Sequence, residues 1–275
     1  MTIPILYQDS SILIIDKPSG LFMHPNQYTQ NKPNCVNILG GIVQKKVLTC
    51  HRLDRRTSGA VVFALRKDAA ASVTEQFKQR RVKKRYLALV RGLLTEEVYT
   101  DRPVKDHYSK DKKLLDAESL IRPLAHGDLP AELIPKVPDT PPNTQPDTQP
   151  DGSNLVGNAN ANLSFEGLRE TRYSLVEVEL LTGKTHQARS HLAALSHPVI
   201  GDNLHGDKLQ NRLFVEVFQT DEMFLRSALL EFVHPADQQT IRVQLGPADS
   251  WLPILQTLRF SDNWTSAHLP EVYHG

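Results

Sequence analysis

The stretch His51-Arg52-Leu53-Asp54-Arg55-Arg56-Thr57-Ser58-Gly59, followed by Ala60-Val61-Val62-Phe63-Ala64-Leu65, organises the rest of the chain. One carboxylate sits among three arginines and a histidine, a Thr-Ser-Gly turn follows, and an apolar run comes next. Cations within about 4–6 Å favour the ionised form of a carboxylate, which leaves Asp54 fit to act as a nucleophile or an electrostatic stabiliser. The same residues also fit a turn entering a strand, with Asp54 in a surface ion pair. The remainder of the chain has to decide between the two.

Downstream, Ala60 to Leu65 reads as a buried strand. Asp68 is placed to cap a helix from Ala69 to Arg80, because Ala69, Val73 and Phe77 recur on one face of a 3.6-residue period. Lys78, Arg80, Arg81, Lys83, Lys84 and Arg85 crowd its end, where cations suit the helix dipole. Tyr86 to Val90 is a strand ended by Gly92, with Tyr86, Ala88 and Val90 on one face. Upstream, Ile3–Leu6 and Ile12–Ile15 form a hairpin, and Asp16-Lys17-Pro18-Ser19-Gly20 turns the chain. Residues 26–48 carry no clear pattern.

Further along, Thr171–Leu181 alternates as a strand, and Thr182-Gly183-Lys184 turns it. Thr185 is placed to cap a helix through Leu195 that stops at His197-Pro198. Phe224–Val233 and Ile241–Leu245 are strand-like, and Trp251–Leu258 is a short helix. Many hairpin-linked strands with few helices predict an α+β fold, a largely antiparallel mixed sheet flanked by helices. Residues 1–275 read as one domain. Within it, 128–165 is a Pro/Asn/Thr-rich insertion too poor in apolar residues to offset the entropy of ordering it, and is expected to be flexible.

The formal net charge is +1, but residues 51–91 hold twelve Lys/Arg against three Asp/Glu. A basic segment in a near-neutral protein is the footprint of a phosphate-facing surface. Two cysteines without CxxC spacing, Cys35 and Cys50, argue against a disulfide framework or structural zinc and for a cytoplasmic protein. The N-terminus lacks a basic, apolar leader, and no apolar run approaches the roughly 20 residues that span a bilayer.

Eleven histidines raise the question of a metal hydrolase. His186 and His191 lie roughly 140° apart around a helix and cannot chelate one ion together. There is no G-x-S-x-G elbow, and Gly183-Lys184-Thr185 lacks the first glycine of a P-loop. An acid, a strand tyrosine, a helix arginine and a basic surface suit chemistry on a nucleic-acid base at its glycosidic bond.

The ordered motifs Asp16-Lys17-Pro18-Ser19-Gly20-Leu21 with His24-Pro25, His51-Arg52-Leu53-Asp54 with Thr57-Ser58-Gly59, and Lys84-Arg85-Tyr86-Leu87-Ala88-Leu89-Val90-Arg91-Gly92 resemble those of the RluA-type pseudouridine synthases. Leu181-Thr182-Gly183-Lys184-Thr185-His186-Gln187-Ala188-Arg189, His191-Leu192-Ala193 and His197-Pro198-Val199-Ile200-Gly201-Asp202 complete the series, so that the likeness covers 3–127 and 166–245.

The resemblance implies the pseudouridine synthase fold with a central cleft, and isomerisation of uridine in RNA without metal or organic cofactor. It implies that Asp54 is the nucleophile, that Tyr86 stacks on the flipped uracil, that Arg189 pairs with Asp54, and that Arg52 fills the gap left by the extruded nucleotide. Charge alone adds Lys83, Lys84 and Arg85 as phosphate contacts. Lys184, Ala188 and His205 depart from the Arg, branched residue and Tyr usual in the family. Gly201 to Asp207 with Gln210-Asn211-Arg212 is similar to a branch that modifies uridine 65 of certain tRNAs. An rRNA uridine is the alternative target, and a non-catalytic RNA-binding module on the same fold the alternative function. No obligate protein partner is expected.

Overall fold

The apolar run after Thr57 becomes a strand, Ser58–Ala64, with all seven residues buried. Buried on both faces, it reads as a continuous apolar run rather than an alternation. In this computed structural model the described residues are 2–25, 31–107, 109, 111, 113–135, 165, 168, 171–260 and 271–275. In chain order they form β1 (Ile5–Gln8), β2 (Ile12–Lys17), α1 (Cys35–Val43), β3 (Leu48–Thr49), β4 (Ser58–Ala64), α2 (Lys67–Lys78), β5 (Lys83–Arg91) and β6 (Val98–Thr100). Then come β7 (Val104–Lys105), β8 (Leu114–Leu115), β9 (Ser119–Asp128), β10 (Arg172–Leu180), α3 (Gln187–Ala194) and α4 (Lys208–Phe218). The last elements are β11 (Leu225–Val233), β12 (Thr240–Gln244), α5 (Leu252–Thr257) and β13 (Glu271–His274).

One sheet runs in the order β1-β2-β4-β11-β5-β10-β9-β6, with β3 on β4 and β12 and β13 continuing from β11. Its strand pairings are antiparallel except β4 with β11, so the expected α+β class with a largely antiparallel sheet is what the chain adopts. The parallel contact is short, Arg226 opposite Ser58 and Ser227 opposite Gly59. Beyond it β12 takes the place of β4 beside β11, and the sheet forks.

Gly59 makes the fork possible. Its φ is +106°, and a Cβ there would stand 2.3 Å from the Ser227 carbonyl oxygen. Only glycine accepts both that conformation and that approach. The register of β11 against β5 also slips between Ser227 and Leu229, opposite Tyr86 and Arg85, a bulge of the kind found beside active sites.

Helices cover both faces. In the β2/β4 half, α2 packs over Ile12, Ile14, Ala60 and Val62, and α1 lies with Leu13, Ile15, Val61 and Phe63 on the other face. In the β5/β10 half, α3 packs on Ala88, Val90, Val176 and Val178, while α4 and α5 cover Leu87, Leu89, Tyr173 and Leu175. Each fully buried Leu, Val or Phe contributes roughly 1.5–3 kcal/mol. Tyr86 packs against both the α1 core and the α3 core, at the seam between the two halves.

Several local expectations are corrected. Asp68 is not the cap of α2; Arg66 is, and Asp68 lies in the first turn, where its charge suits the dipole and accepts from Arg66 Nε at 3.1 Å. Thr185 does not cap α3; His186 holds that position with φ +56° and no side-chain cap bond. Residues 26–48 contain α1, started by Asn34, whose side chain accepts from the Asn37 amide at 3.0 Å.

The predicted insertion starts in ordered chain. β9 runs to Asp128, and buried Leu129 donates its amide to the Thr171 carbonyl at 2.8 Å. Most of 128–165 lies outside the described residues. Among the described residues no helix is long and apolar enough to cross a membrane.

Candidate active site

Asp54 sits in the loop between β3 and β4, at the start of a turn closed by the Thr57 amide on its own carbonyl at 3.1 Å. The turn is held from behind by the Asp16–Gly20 motif. The Gly20 amide and Lys17 Nζ each reach the Arg55 carbonyl at 2.9 Å, and Ser19 Oγ donates to the Arg56 carbonyl at 2.7 Å. Lys17 is fully buried, and burial pushes its ammonium down to about 8, still charged at neutral pH. Two motifs nearly forty residues apart thus build one rigid loop, whose free side carries the Asp54 carboxylate.

Arg189, in the first turn of α3, faces that carboxylate. Its Nη1 donates to Asp54 Oδ2 at 3.0 Å, and its Nε and Nη2 grip both oxygens of Asp202 at 2.6 and 2.7 Å. Asp202 also accepts from the Leu204 and His205 amides. Burial works against the charge of Asp202, but Arg189 and these amides outweigh it and hold the carboxyl below its usual range. Burial likewise opposes the guanidinium, and the two carboxylates more than compensate, raising its pKa. Asp202 side-chain exposure is nil and that of Asp54 is 26 %, so only Asp54 is open to a reactant.

The turn before α3 is latched by buried Gln187. Its Oε1 accepts from Thr182 Oγ1 at 2.7 Å and the Lys184 amide at 3.0 Å, and its Nε2 reaches the Glu118 carbonyl at 2.8 Å. His191 bonds Ser119 Oγ and the Arg102 carbonyl, a structural use that keeps it off the cleft.

A cleft of about 450 Å³ opens at this point, lined by Arg52, Asp54, Lys84, Tyr86, His186 and Arg189 among others. A second hollow, with Phe22, Met23 and His24, adjoins the other side of Asp54. Burial and the charge of Asp54 raise the pKa of Tyr86, so its phenol stays neutral. Arg52 is exposed and lines both hollows.

The three candidate phosphate cations separate. Lys84 points to the Tyr86 face and donates to the Thr182 carbonyl at 3.4 Å. Lys83 and Arg85 alternate to the opposite face of β5, where Arg85 pairs with Glu177 and Glu179 at 3.3 and 3.1 Å. The three therefore do not share one surface. A run of like charges on a strand is divided between two faces, and cross-strand glutamates neutralise one of them.

His51 is likewise not part of the charge around Asp54. Its Nε2 accepts from the Val62 amide at 3.1 Å, its ring stacks on Phe77, and burial, aided by Lys84, pushes its pKa down to about 3. Arg55 lies over the Phe22 ring, and Arg56 faces Asp221 at 3.6 Å. His186, which the sequence did not single out as a site residue, places Nε2 3.5 Å from Asp54 Oδ2. Burial, ahead of the neighbouring charges, pushes its pKa down to about 4, leaving it neutral at pH 7.

The family profile of RNA pseudouridylate synthase matches residues 11–194, which takes in both the Asp54 loop and Arg189. The chain belongs to the RNA pseudouridylate synthase family. Proteins named tRNA pseudouridine synthase C are similar along nearly the whole length: that of Vibrio cholerae is 31% identical over 268 residues, 94% of this chain and 97% of its own. That of Salmonella typhi is 32% identical over 254 residues, 91% of this chain and 88% of its own. The solved structure of human RNA pseudouridylate synthase domain containing 1 shares the fold, with a TM-score of 0.62 at 24% identity over 98% of this chain and 89% of that one.

This member of the family is therefore an isomerase that makes pseudouridine in RNA. Two groups that build its cleft, Lys17 and Asp202, were visible in the sequence only as members of turn motifs. The signal was a charged residue beside Pro or Gly at the end of an apolar run. Sequence alone does not distinguish its burial from exposure.

Proposed function

We propose that this pseudouridine synthase acts on tRNA, at uridine 65, by covalent catalysis from Asp54 on a base flipped into the cleft. The names of its relatives over more than nine-tenths of the chain support the choice of tRNA. The observation that carries the chemistry is the 3.0 Å hydrogen bond from Arg189 to the one partly open carboxylate of the cleft.

Asp54 attacks either the ribose anomeric carbon or the uracil ring. The N1–C1′ bond breaks, the base turns, C5 joins C1′, and the C5 proton is lost as N1 regains one. Atoms and electrons balance within the substrate, so the reading calls on no cofactor. Arg189, gripped by Asp202, holds the Asp54 carboxylate in place without itself being free to move. The neutral ring of Tyr86 stacks on the extruded base, and Arg52 enters the helix in its place, which offsets a flipping cost of a few kcal/mol. Lys84 holds a phosphate at the rim. We read residues 1–275 as one catalytic domain, supported by a single sheet that continues on both sides of the insertion. A cytoplasmic location is supported by two free, buried cysteines.

Chemical mapping of pseudouridine in total RNA from cells with and without the gene tests the substrate. Loss of a single tRNA site between acceptor and T stem is expected; loss of an rRNA site instead would overturn the choice of tRNA.

A further inference from the structure

Three imidazoles from three separate segments converge at the mouth of the cleft. His107 follows β7, His186 opens α3, and His205 lies in the loop after Asp202. One ring nitrogen of each lies within 4.8 Å of the others. His186 Nδ1 and His205 Nε2 are 3.2 Å apart. Two nitrogens bound to one tetrahedral zinc at about 2.0–2.1 Å are themselves about 3.3 Å apart, so this pair already has the chelating separation. The backbone that carries both rings is constrained: His186 has φ +56°, and the His205 amide donates to Asp202 at 3.0 Å. His107 is exposed and its ring centroid lies 4.5 Å from that of His186. Binding requires it to close the remaining gap.

We propose that His107, His186 and His205 form a transition-metal site, and that a zinc-class ion bound there silences the enzyme. Imidazole ligands suit zinc, nickel and copper rather than magnesium or calcium. The link to catalysis is the second nitrogen of His186. With Nδ1 on the metal, Nε2 carries the proton and faces Asp54 Oδ2 at 3.5 Å. That is the carboxylate–histidine–metal arrangement by which outer carboxylates orient metal ligands. Oδ2 would then accept from both His186 and Arg189, and the carboxylate is drawn away from attack. Three histidines also leave one coordination position open to water, which places a bound ion and its water over the cleft. The inhibition rests on the assignment of Asp54 as nucleophile; the metal site itself does not.

The test uses the full-length enzyme, with Co²⁺ as a spectroscopic probe and Zn²⁺ as inhibitor, in wild type, His107→Ala and His205→Tyr. A second group of candidate ligands, His234, Asp237 and His274, is retained in all three, so differences report the mouth of the cleft. Expected are visible bands of four-coordinate Co²⁺ in the wild type that weaken in both variants. Zinc affinity at this site should fall by at least about tenfold, the scale reached even when an outer partner of a metal ligand is lost. Zinc should stop tritium release from C5-tritiated uridine in RNA by the wild type, chelator should restore it, and both variants should resist. Equal binding in wild type and His107→Ala, or binding at the site with no loss of rate, overturns the proposal. A metal-free wild type with no activity on any RNA counts against the catalytic reading instead, and leaves the Co²⁺ measurement to judge the site.

Discussion

Two buried arginines anchor this molecule, and only one reaches the cleft. Arg226, on β11, grips both oxygens of Asp16 at 2.9 and 2.7 Å and gives its Nε to the Gly246 carbonyl at 2.8 Å. All three arms of its guanidinium hold the fork of the sheet. Arg189 grips Asp202 with Nε and Nη2 and has Nη1 left over, aimed at Asp54. The chemistry of the two clasps is the same. The functional difference is where the third arm goes: to the Gly246 carbonyl in Arg226, and to a second carboxylate, that of Asp54 in the cleft, in Arg189. The same contrast recurs in neighbours on β5: Arg85 is taken up by glutamates on the sheet face, while Lys84 lines the cleft.

Breaking the Arg189 clasp should have the larger effect. Asp202→Ala leaves a buried guanidinium without its main partner and should cost about 3–5 kcal/mol in urea denaturation. The surviving folded protein should also lose activity by about 100-fold, as misplacement of a catalytic group by 1 Å does. Arg226→Met removes charged hydrogen bonds from a partly exposed Asp16 and should cost about 1.5–3 kcal/mol, with activity per folded molecule unchanged. If both variants lost activity in proportion to stability alone, the contrast would fail.

Much of the fold was legible. Apolar runs located β2, β4 and β11, which are buried on both faces, and alternation or a 3.6-residue period located α2, β5, β10 and α3, all to within a few residues. α1 escaped because its interior holds Gly40-Gly41, poor helix formers rescued by the Asn34 cap and by burial of Cys35 and Leu39. β9 contains Pro123 and Gly127, which weaken any strand reading. The contact between Asp54 and Arg189 joins residues 135 positions apart. No local pattern encodes such a pairing; the ordered motifs of a family suggested it. Burial was not legible either, and it separates Lys84 from Arg85 and turns His51 from a candidate cation into a core acceptor.

His51 extends the comparison to a group wholly taken up by the fold. Its pKa is about 3 when folded against about 6.5 unfolded, so below 6.5 the unfolded chain binds more protons. Its contribution to stability is therefore complete above pH 6.5 and is lost as pH falls toward 3. Between pH 7.5 and 6 the loss should be on the order of 1 kcal/mol. His51→Gln should remove that slope from denaturation midpoints measured across the range. A smaller effect separates the strand neighbours: Lys84→Gln should lower the slope of log affinity against log salt for RNA by about 1. Arg85→Gln should leave it unchanged.

The central claim is that the one open carboxylate held by Arg189 is the nucleophile. Asp54→Asn keeps the size and the loop while removing the charge. Tritium release from C5-tritiated uridine in tRNA, measured beside tRNA binding, reads it directly. The variant should release no tritium and bind tRNA within a few-fold of wild type. Release at the wild-type rate would contradict the account.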